Sequence, residues 1–346
     1  MEIELGIDTF GDVTVDATGA RVPYPQVIRD VVDQAVLADE VGLDFFGLGE
    51  HHRDDFAVSA PDVVLAAAAA RTDRIRLGSA VTVLSSDDAV RVFQRFATLD
   101  AVSNGRAEVI LGRGSFTESF PLFGYDLADY EVLFEEKLDL FVALLREEPV
   151  TWSGTTRPPL RDQRVYPTTA GGLRAWIGVG GSPESVVRAA RYALPLMLAI
   201  IGGDPLRFAP YVDLYRRALD DLGTPRLPIG IHSPGHIAAT DEQALEQHWP
   251  HHRDMFGRIG RERGWPPLTR AQYELSTGPE GALAVGSPET VAAKIVRAVS
   301  GLGASRFDLK VSAGTLPHEL LLTSIRLLGR EVAPLVRAEL RALAAA

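Results

Sequence analysis

The 346-residue chain contains no cysteine. Disulfides, thiolate metal sites, cysteine nucleophiles and iron–sulfur clusters are therefore excluded. Positive charge is also scarce: 35 Lys and Arg face 46 Asp and Glu, for a net charge of −11. Such a surface lacks the electrostatic footprint that nucleic acids or anionic membranes require, so neither is expected as a partner. Any anionic ligand must be held by local dipoles and a few arginines. Long apolar runs are missing as well; the longest, about residues 193–201, is interrupted by Pro195 and falls far short of a membrane span. Met1-Glu2-Ile3-Glu4-Leu5 shows neither the basic nor the apolar segment of a secretory signal, and a cytoplasmic location is expected. A Walker A loop, a Gly-x-Ser-x-Gly nucleophile elbow and zincin histidine spacing are absent too, which argues against the corresponding hydrolases.

What remains is ordinary globular composition, 46% hydrophobic and 23% charged, with short apolar runs alternating with helical periods. Strands are expected at Ile3–Ile7, Asp44–Leu48, Ile75–Val83, Ala107–Leu111, Ala175–Val179, Leu196–Ile201, Pro228–His232 and Phe307–Val311. Between them lie helical patterns. The one over Tyr24–Val41 keeps Val27, Val31, Ala35 and Ala38 in period and is stopped by Gly42. Pro61, Pro183, Pro210 and Pro288 each fall in the first turn of a helix, where a missing N–H is tolerated. Asp241–Arg263 reads as helical with a break at Pro250. About eight strand–helix units imply the α/β class, as a single (β/α)8 TIM barrel over residues 1–346 rather than an open sheet. Two stretches, Pro149–Gly172 and Gly264–Gly286, fall outside the scheme as long loop excursions that help to shape a pocket.

In a parallel barrel, ligands sit at the carboxyl ends of the strands. The residues there are Asp8-Thr9-Phe10, Gly49-Glu50-His51-His52, Ser79-Ala80-Val81, Gly112-Arg113-Gly114-Ser115, Gly180-Gly181-Ser182, Gly202-Gly203, His232-Ser233 and Lys310. Most are small, which lets a flat ligand approach the backbone, with a few polar groups to orient it. Gly180-Gly181-Ser182-Pro183 leads into a helix whose free N–H groups and dipole would suit an anion. The same residues equally read as a plain Ser182 cap, like Ser287-Pro288-Glu289, and the third glycine of a dinucleotide fingerprint is missing. Arg113 offers a fixed cation that could clamp a phosphate or face a carboxylate. Glu50-His51-His52 is the candidate for acid–base work, because histidine titrates near neutrality. Adjacent residues in extended chain point to opposite sides, so His51 and His52 are not expected to share a metal ion. His248, His251 and His252 have helical ligand spacing, but a solvated helix face is the expectation there, and no metal is expected. Asp54-Asp55 and Asp87-Asp88 read as helix-start charges and turn formers.

Taken in order, Gly49-Glu50-His51-His52, Leu77-Gly78-Ser79-Ala80-Val81, Ser103-Asn104-Gly105-Arg106, Gly112-Arg113-Gly114 and Val179-Gly180-Gly181-Ser182-Pro183-Glu184-Ser185 resemble the bacterial luciferase-like flavin-dependent oxidoreductases. The resemblance covers roughly residues 1–235, and Leu283–Val311 fits less distinctively. It implies a barrel with flavin at the carboxyl ends of its strands. The activity it implies is a two-component monooxygenase using O2 and reduced FMN, supplied by a separate flavin reductase, on a small organic substrate. A homodimer through the barrel helices is implied as well. Residue by residue, His51 matches the histidine beside the isoalloxazine ring, with His52 and Glu50 to orient it. Ala80 and Val81, following Ser79, match a strand bend, often a cis non-proline peptide, on which the ring rests. Arg113, between Gly112 and Gly114, matches a phosphate-side arginine, and Gly180, Gly181 and Ser182 match the segment at the ribityl phosphate. Two departures stand out: Gly112 replaces the cysteine of bacterial luciferase, and Asp88-Ala89 stands where many relatives carry His-Pro. Light emission is not expected. Three alternatives stay open: hydride transfer with the deazaflavin F420, a non-catalytic flavin-binding protein, and an aldolase with Lys310 as Schiff base. The longer anionic tail of F420 would want more cations than Arg113 alone.

Overall fold

A computed structural model describes residues 3–345; Met1, Glu2 and Ala346 lie outside the described residues. Eight parallel strands run in chain order: β1 (Glu4–Thr9), β2 (Phe45–Leu48), β3 (Arg76–Val83), β4 (Ala107–Gly112), β5 (Arg174–Val179), β6 (Leu196–Ala199), β7 (Ile229–Ile237) and β8 (Arg306–Lys310). Each pairs with the next, and β8 returns to β1 through Leu5↔Phe307 and Ile7↔Leu309, so the sheet closes without an edge. This is the expected (β/α)8 barrel.

Alternation along each strand explains the two sets of contacts. Leu5, Ile7, Phe46, Leu48, Leu77, Val109 and Leu111 point outward and bury against the helices. The helix Tyr24–Glu40 contributes Val27, Val31, Ala35 and Ala38, as its period requires. Helix Ala89–Val102 is capped by Asp88, whose carboxylate accepts from the N–H groups of Val90 and Arg91.

Pointing inward, the barrel is layered. At the amino end the fully buried Arg306 joins Glu108 and Asp308 and lies 3.5 Å above the Phe45 ring centroid. Backbone crowds this layer: a Cβ on Gly78 would meet the Glu108 carbonyl oxygen at 2.7 Å. Next come Phe45, Ile110, Trp176 and Met197, an apolar plug. The carboxyl end is left with small and polar residues.

The structure departs from the sequence reading in three places. Pro250 does not break its helix, which is continuous from Asp241 to Arg263. Burial of His248 and His252 from the same helix offsets the one backbone bond that proline removes. Neither excursion is a plain loop. Residues 149–172 contain an antiparallel hairpin, Val150–Trp152 with Leu160–Gln163, whose turn is tied by the Thr155 and Thr156 N–H groups to Glu136. Residues 264–286 contain the helix Arg270–Thr277 and a strand, Ala284–Gly286, that pairs with the end of β7. After the barrel helix His318–Leu327, a π turn leads into a further helix, Ala333–Ala345. Among the described residues no helix is long and apolar enough to cross a membrane.

The ion layer makes a test of the barrel's interior. Replacing Arg306 by Met strands two buried carboxylates and is expected to lower unfolding free energy by about 3–5 kcal/mol at pH 8. Replacing the partly exposed Arg174, which approaches Glu4 and Glu108 nearby, is expected to cost under about 1 kcal/mol. Urea unfolding of both variants checks the contrast.

Candidate active site

The strand ends form a mouth built on short side chains. On β3 the pairing with β4 slips from Ala80↔Ile110 to Thr82↔Leu111, leaving Val81 as an extra residue, and the Ala80–Val81 peptide is cis. Val81 fills the space over Gly112, where a Cβ would lie 2.5 Å from its side chain. Ser79 is buried behind this bend: Thr82 Oγ1 donates to its Oγ at 2.8 Å, and Ser79 donates to the Ile110 carbonyl at 3.2 Å. It holds the bend and does not face the mouth.

His51 projects from the end of β2 into an aromatic nest. Its ring centroid lies 4.6 Å from Phe10, 4.2 Å from Phe56 and 5.4 Å from Phe116. Its Nδ1 is buried with no hydrogen-bond partner among the described residues. Burial pushes its pKa down to about 3, against a smaller opposing pull from Asp12. The ring is therefore neutral at any working pH, which suits a fixed hydrogen-bonding group more than a proton store.

The extended chain turns Glu50 and His52 the other way. His52 Nε2 donates to Glu50 Oε1 at 3.0 Å, and Glu50 Oε2 accepts from the Val83 N–H at 3.0 Å. The pair thus braces the β2 loop against the end of β3 and lines a side cavity of about 340 Å³ with Asp62, Arg95, Phe96 and Tyr125. Neither residue hydrogen-bonds His51.

A second polar centre forms at the start of the helix Pro183–Arg191. Ser182 Oγ caps it, accepting from the Ser185 N–H at 3.2 Å. Arg113 and Arg188 converge on Ser185 Oγ, each at 3.4 Å. Glu131 pairs with both arginines, and Glu135 takes the Arg188 Nε at 2.6 Å. Gly181 has φ +112°, a conformation that favours glycine, and its carbonyl accepts from the Tyr211 hydroxyl at 2.7 Å. A Cβ on Gly180 would meet nothing within 4 Å, so the space before the helix is open. Gly114, with φ +72°, bends the chain beside Arg113. Arg188 was not singled out in the sequence, although its i+3 spacing from Ser185 on a capped helix is a legible signal.

Residues named only as strand ends also meet at the mouth. His232 Nδ1 lies 2.7 Å from Asp8 Oδ2. Lys310 donates to the carbonyl and hydroxyl of Ser312, lies 3.6 Å from Asp12 and sits 4.5 Å over the Phe10 ring. Those partners occupy the amine that a Schiff base would need free. Above the mouth, Arg53 is a clamp: it pairs with Asp55 on its own loop, Glu118 after β4 and Glu262 at the end of the long helix, with its guanidinium 4.6 Å from the Phe116 ring centroid.

The long helix corrects another expectation. His248 and His252 do not form a solvated face; both are buried and stack with centroids 5.0 Å apart, and His236 of β7 extends the column at 6.1 Å. His251 instead bonds Thr315 Oγ1 at 2.8 Å. Among the described residues no group of three or more His, Cys, Asp or Glu is placed to hold a metal ion.

A model of the luciferase-like monooxygenase family matches residues 8–306. The chain belongs to this family. It is 30% identical over 261 residues to 4-hydroxyprotoasukamycin monooxygenase of Streptomyces nodosus subsp. asukaensis, covering 69% of this chain and 67% of that one. Across the first curated relatives, the matched stretch spans between 37% and 67% of their length. Two solved structures show the same fold. The oxygenating constituent of 3,6-diketocamphane monooxygenase of Pseudomonas putida, in complex with FMN, superposes with TM-score 0.77 at 18% identity, covering 96% of this chain and 99% of that one. Coenzyme F420-dependent tetrahydromethanopterin reductase of Methanopyrus kandleri gives TM-score 0.73 at 18% identity, with 96% and 99% covered.

The buried imidazoles set the pH dependence of stability. Folding lowers His51 to about 3 and His252 to about 4 from an ordinary 6.5, and shifts His248 and His236 the same way by desolvation. Below pH 6.5 the unfolded chain therefore binds more protons, and stability falls with pH by up to about 1.4 kcal/mol per unit per histidine. Asp308, raised to about 7 by burial, acts in the opposite sense and offsets one of them. Stability present above pH 6.5 is expected to be lost progressively towards pH 4. Substituting His248 and His252 by Phe should flatten that slope in urea titrations at fixed pH.

Proposed function

We propose that the protein is a flavin-dependent monooxygenase that uses reduced FMN and O2 on a small organic substrate, with the reduced flavin supplied by a separate reductase. The observation that carries this reading is the convergence of Arg113 and Arg188 on Ser185 at a helix start that opens onto the mouth. FMN suits these residues. Its phosphate would be held by the two guanidinium groups and the N–H groups of the helix capped by Ser182, and its ring by the shallow floor of Ala80, Val81, Gly112 and Gly180. When bound, the flavin supplies the electrons that activate O2.

The remaining work falls to the protein. Phe10, Phe56 and Phe116 exclude water around His51, which offers a neutral nitrogen as a hydrogen-bond partner. The Arg53 clamp keeps the β2 loop, the segment after β4 and the long helix together as a roof. Glu50 and His52 support the β2–β3 corner from outside rather than through contact with His51.

Charge balance favours FMN over F420. Arg113, Arg188 and Arg191 are matched by Glu131, Glu135 and Glu184 around the seat, so no excess of cations awaits a longer polyanionic tail. A cytoplasmic homodimer is inferred on the family resemblance alone.

Anaerobic equilibrium binding tests the reading. Reduced FMN is expected to bind preferentially; tight F420 binding without FMN affinity would move the protein to hydride transfer, and binding of neither would overturn the flavin assignment. Arg113→Ala and Arg188→Ala should each weaken FMN binding about 10- to 100-fold, as loss of a charge-assisted contact predicts, while riboflavin binding stays unchanged. His51→Ala is expected to lower product formation and leave FMN affinity intact; unchanged turnover would refute its role.

A further inference from the structure

The mouth holds a second imidazole whose surroundings are the reverse of those of His51. His232 lies on β7 in register with Ala199 of β6 and Asp308 of β8. Its Nδ1 hydrogen-bonds Asp8 Oδ2 at 2.7 Å. Asp8 is only 1% exposed, and its other oxygen has no partner among the described residues, so the carboxylate is committed to this one ring. A buried carboxylate that accepts from Nδ1 fixes the tautomer and leaves Nε2 as the nitrogen free to exchange a proton with a ligand. His232 Nε2 has no partner among the described residues, and 12% of the side chain stays exposed.

Phe10 lies between the two histidines. Its centroid is 4.6 Å from His51, and it stacks on His232 at 6.1 Å with only 5° between the planes. Both imidazoles therefore pack on one ring at the strand ends. His51, however, has no carboxylate on either nitrogen. Asp12, the acid whose charge acts on it, already accepts from Ser312 Oγ and the Gly314 N–H and faces Lys310.

We propose that His232, with Asp8 as its positioning residue, is the proton donor and acceptor at the barrel mouth, and that His51 stays neutral throughout. The assignment rests on the monooxygenase reading above. Overall, reduced FMN, O2 and substrate give FMN, oxygenated substrate and water. Two electrons come from the flavin and two from the substrate, and the two protons that the flavin sheds equal the two that the departing oxygen takes up as water. His232 Nε2 gives one proton to that oxygen and recovers one before the next turnover, so the residue is unchanged over the cycle. The charged groups facing it are Asp8 from β1, with Asp308 and, further towards the mouth, Lys310 from β8; β6 presents only Ala199.

Two measurements test this. In the flavin-free protein labelled with ¹⁵N-histidine, His232, assigned by loss of its signals in His232→Gln, should populate the Nδ1–H tautomer when neutral. Asp8→Asn should abolish that preference, and His51 should show no protonation down to pH 5. An Nε2–H tautomer at His232 in the unaltered protein would overturn the proposal. In the second measurement, photoreduced FMN on the enzyme is mixed with O2 without substrate, so that the departing oxygen leaves as H2O2 carrying the same two protons that the flavin sheds, and reoxidation is followed from pH 5 to 9. His232→Gln is expected to slow it about 100-fold and to remove the pH dependence, with FMN affinity within twofold of wild type. Asp8→Asn should act in the same direction, whereas His51→Gln should keep the wild-type pH profile. A His232→Gln enzyme that binds FMN and reoxidises it with the wild-type profile sinks the assignment. A wild-type protein that binds no flavin overturns the monooxygenase reading and the proton assignment with it, and that failure is told apart by an intact Asp8–His232 tautomer in the NMR measurement.

Discussion

Closing eight parallel strands on themselves is the constraint from which the rest of this molecule follows. Once β8 pairs with β1, every second residue of each strand is committed to the axis, and the interior must be filled in layers. Here the amino end is closed by Arg306 with its two carboxylates and the middle by Phe45, Ile110, Trp176 and Met197. With the lower two layers full, the carboxyl end can afford glycines, a bent strand and a few unpaired polar atoms. The mouth is therefore chemically available because the barrel beneath it is solid.

Electrostatics in this acidic chain is local. All three lysines, Lys137, Lys294 and Lys310, are buried and donate to backbone carbonyls of Ser85, of Thr277 and Gly278, and of Ser312. The work of ion pairing is left to arginine, whose planar fork can serve two partners together. Arg53 uses that fork to hold three segments over the mouth, and Arg188 uses it to reach Ser185 and two glutamates. Neutrality at the helix start means that an incoming phosphate competes with Glu131 and Glu135 for the same guanidinium groups. On the proposed reading, that competition makes the seat selective for a compact dianion.

How much of this was legible in the sequence depends on the range of the interaction. Strand and helix positions were, because alternation and the 3.6-residue period are local, and so was the Ser182 cap. Pro250 misled because a local rule was outweighed by the packing of His248 and His252 onto Tyr273, a partner that no window around the proline contains. The same packing explains why three histidines at helical spacing were expected in solvent. The excursions hid a hairpin and a helix because their anchors, Glu136 and the end of β7, lie far off in sequence. Asp8 and His232 were both visible as strand ends, yet 224 residues separate them, and only barrel closure makes them a pair.

The two imidazoles at the mouth show how one side chain serves opposite ends by its neighbours alone. His51 is wrapped in aromatic rings, and desolvation with no counter-charge in hydrogen-bonding reach removes its positive form. His232 occupies the same rim, but a buried carboxylate stands behind its Nδ1. The difference comes from strand order: β2 delivers His51 next to loop aromatics, whereas β7 faces β1 across β8 and so meets Asp8. On the proposed reading, a fixed hydrogen-bonding dipole and a proton carrier stand at one mouth and are told apart by the groups each one touches. Phe10 stands between the two settings, with one imidazole packed on it among aromatic rings and the other stacked on it beside an acid. Exchanging the roles would require moving the carboxylate, since the histidines themselves are the same.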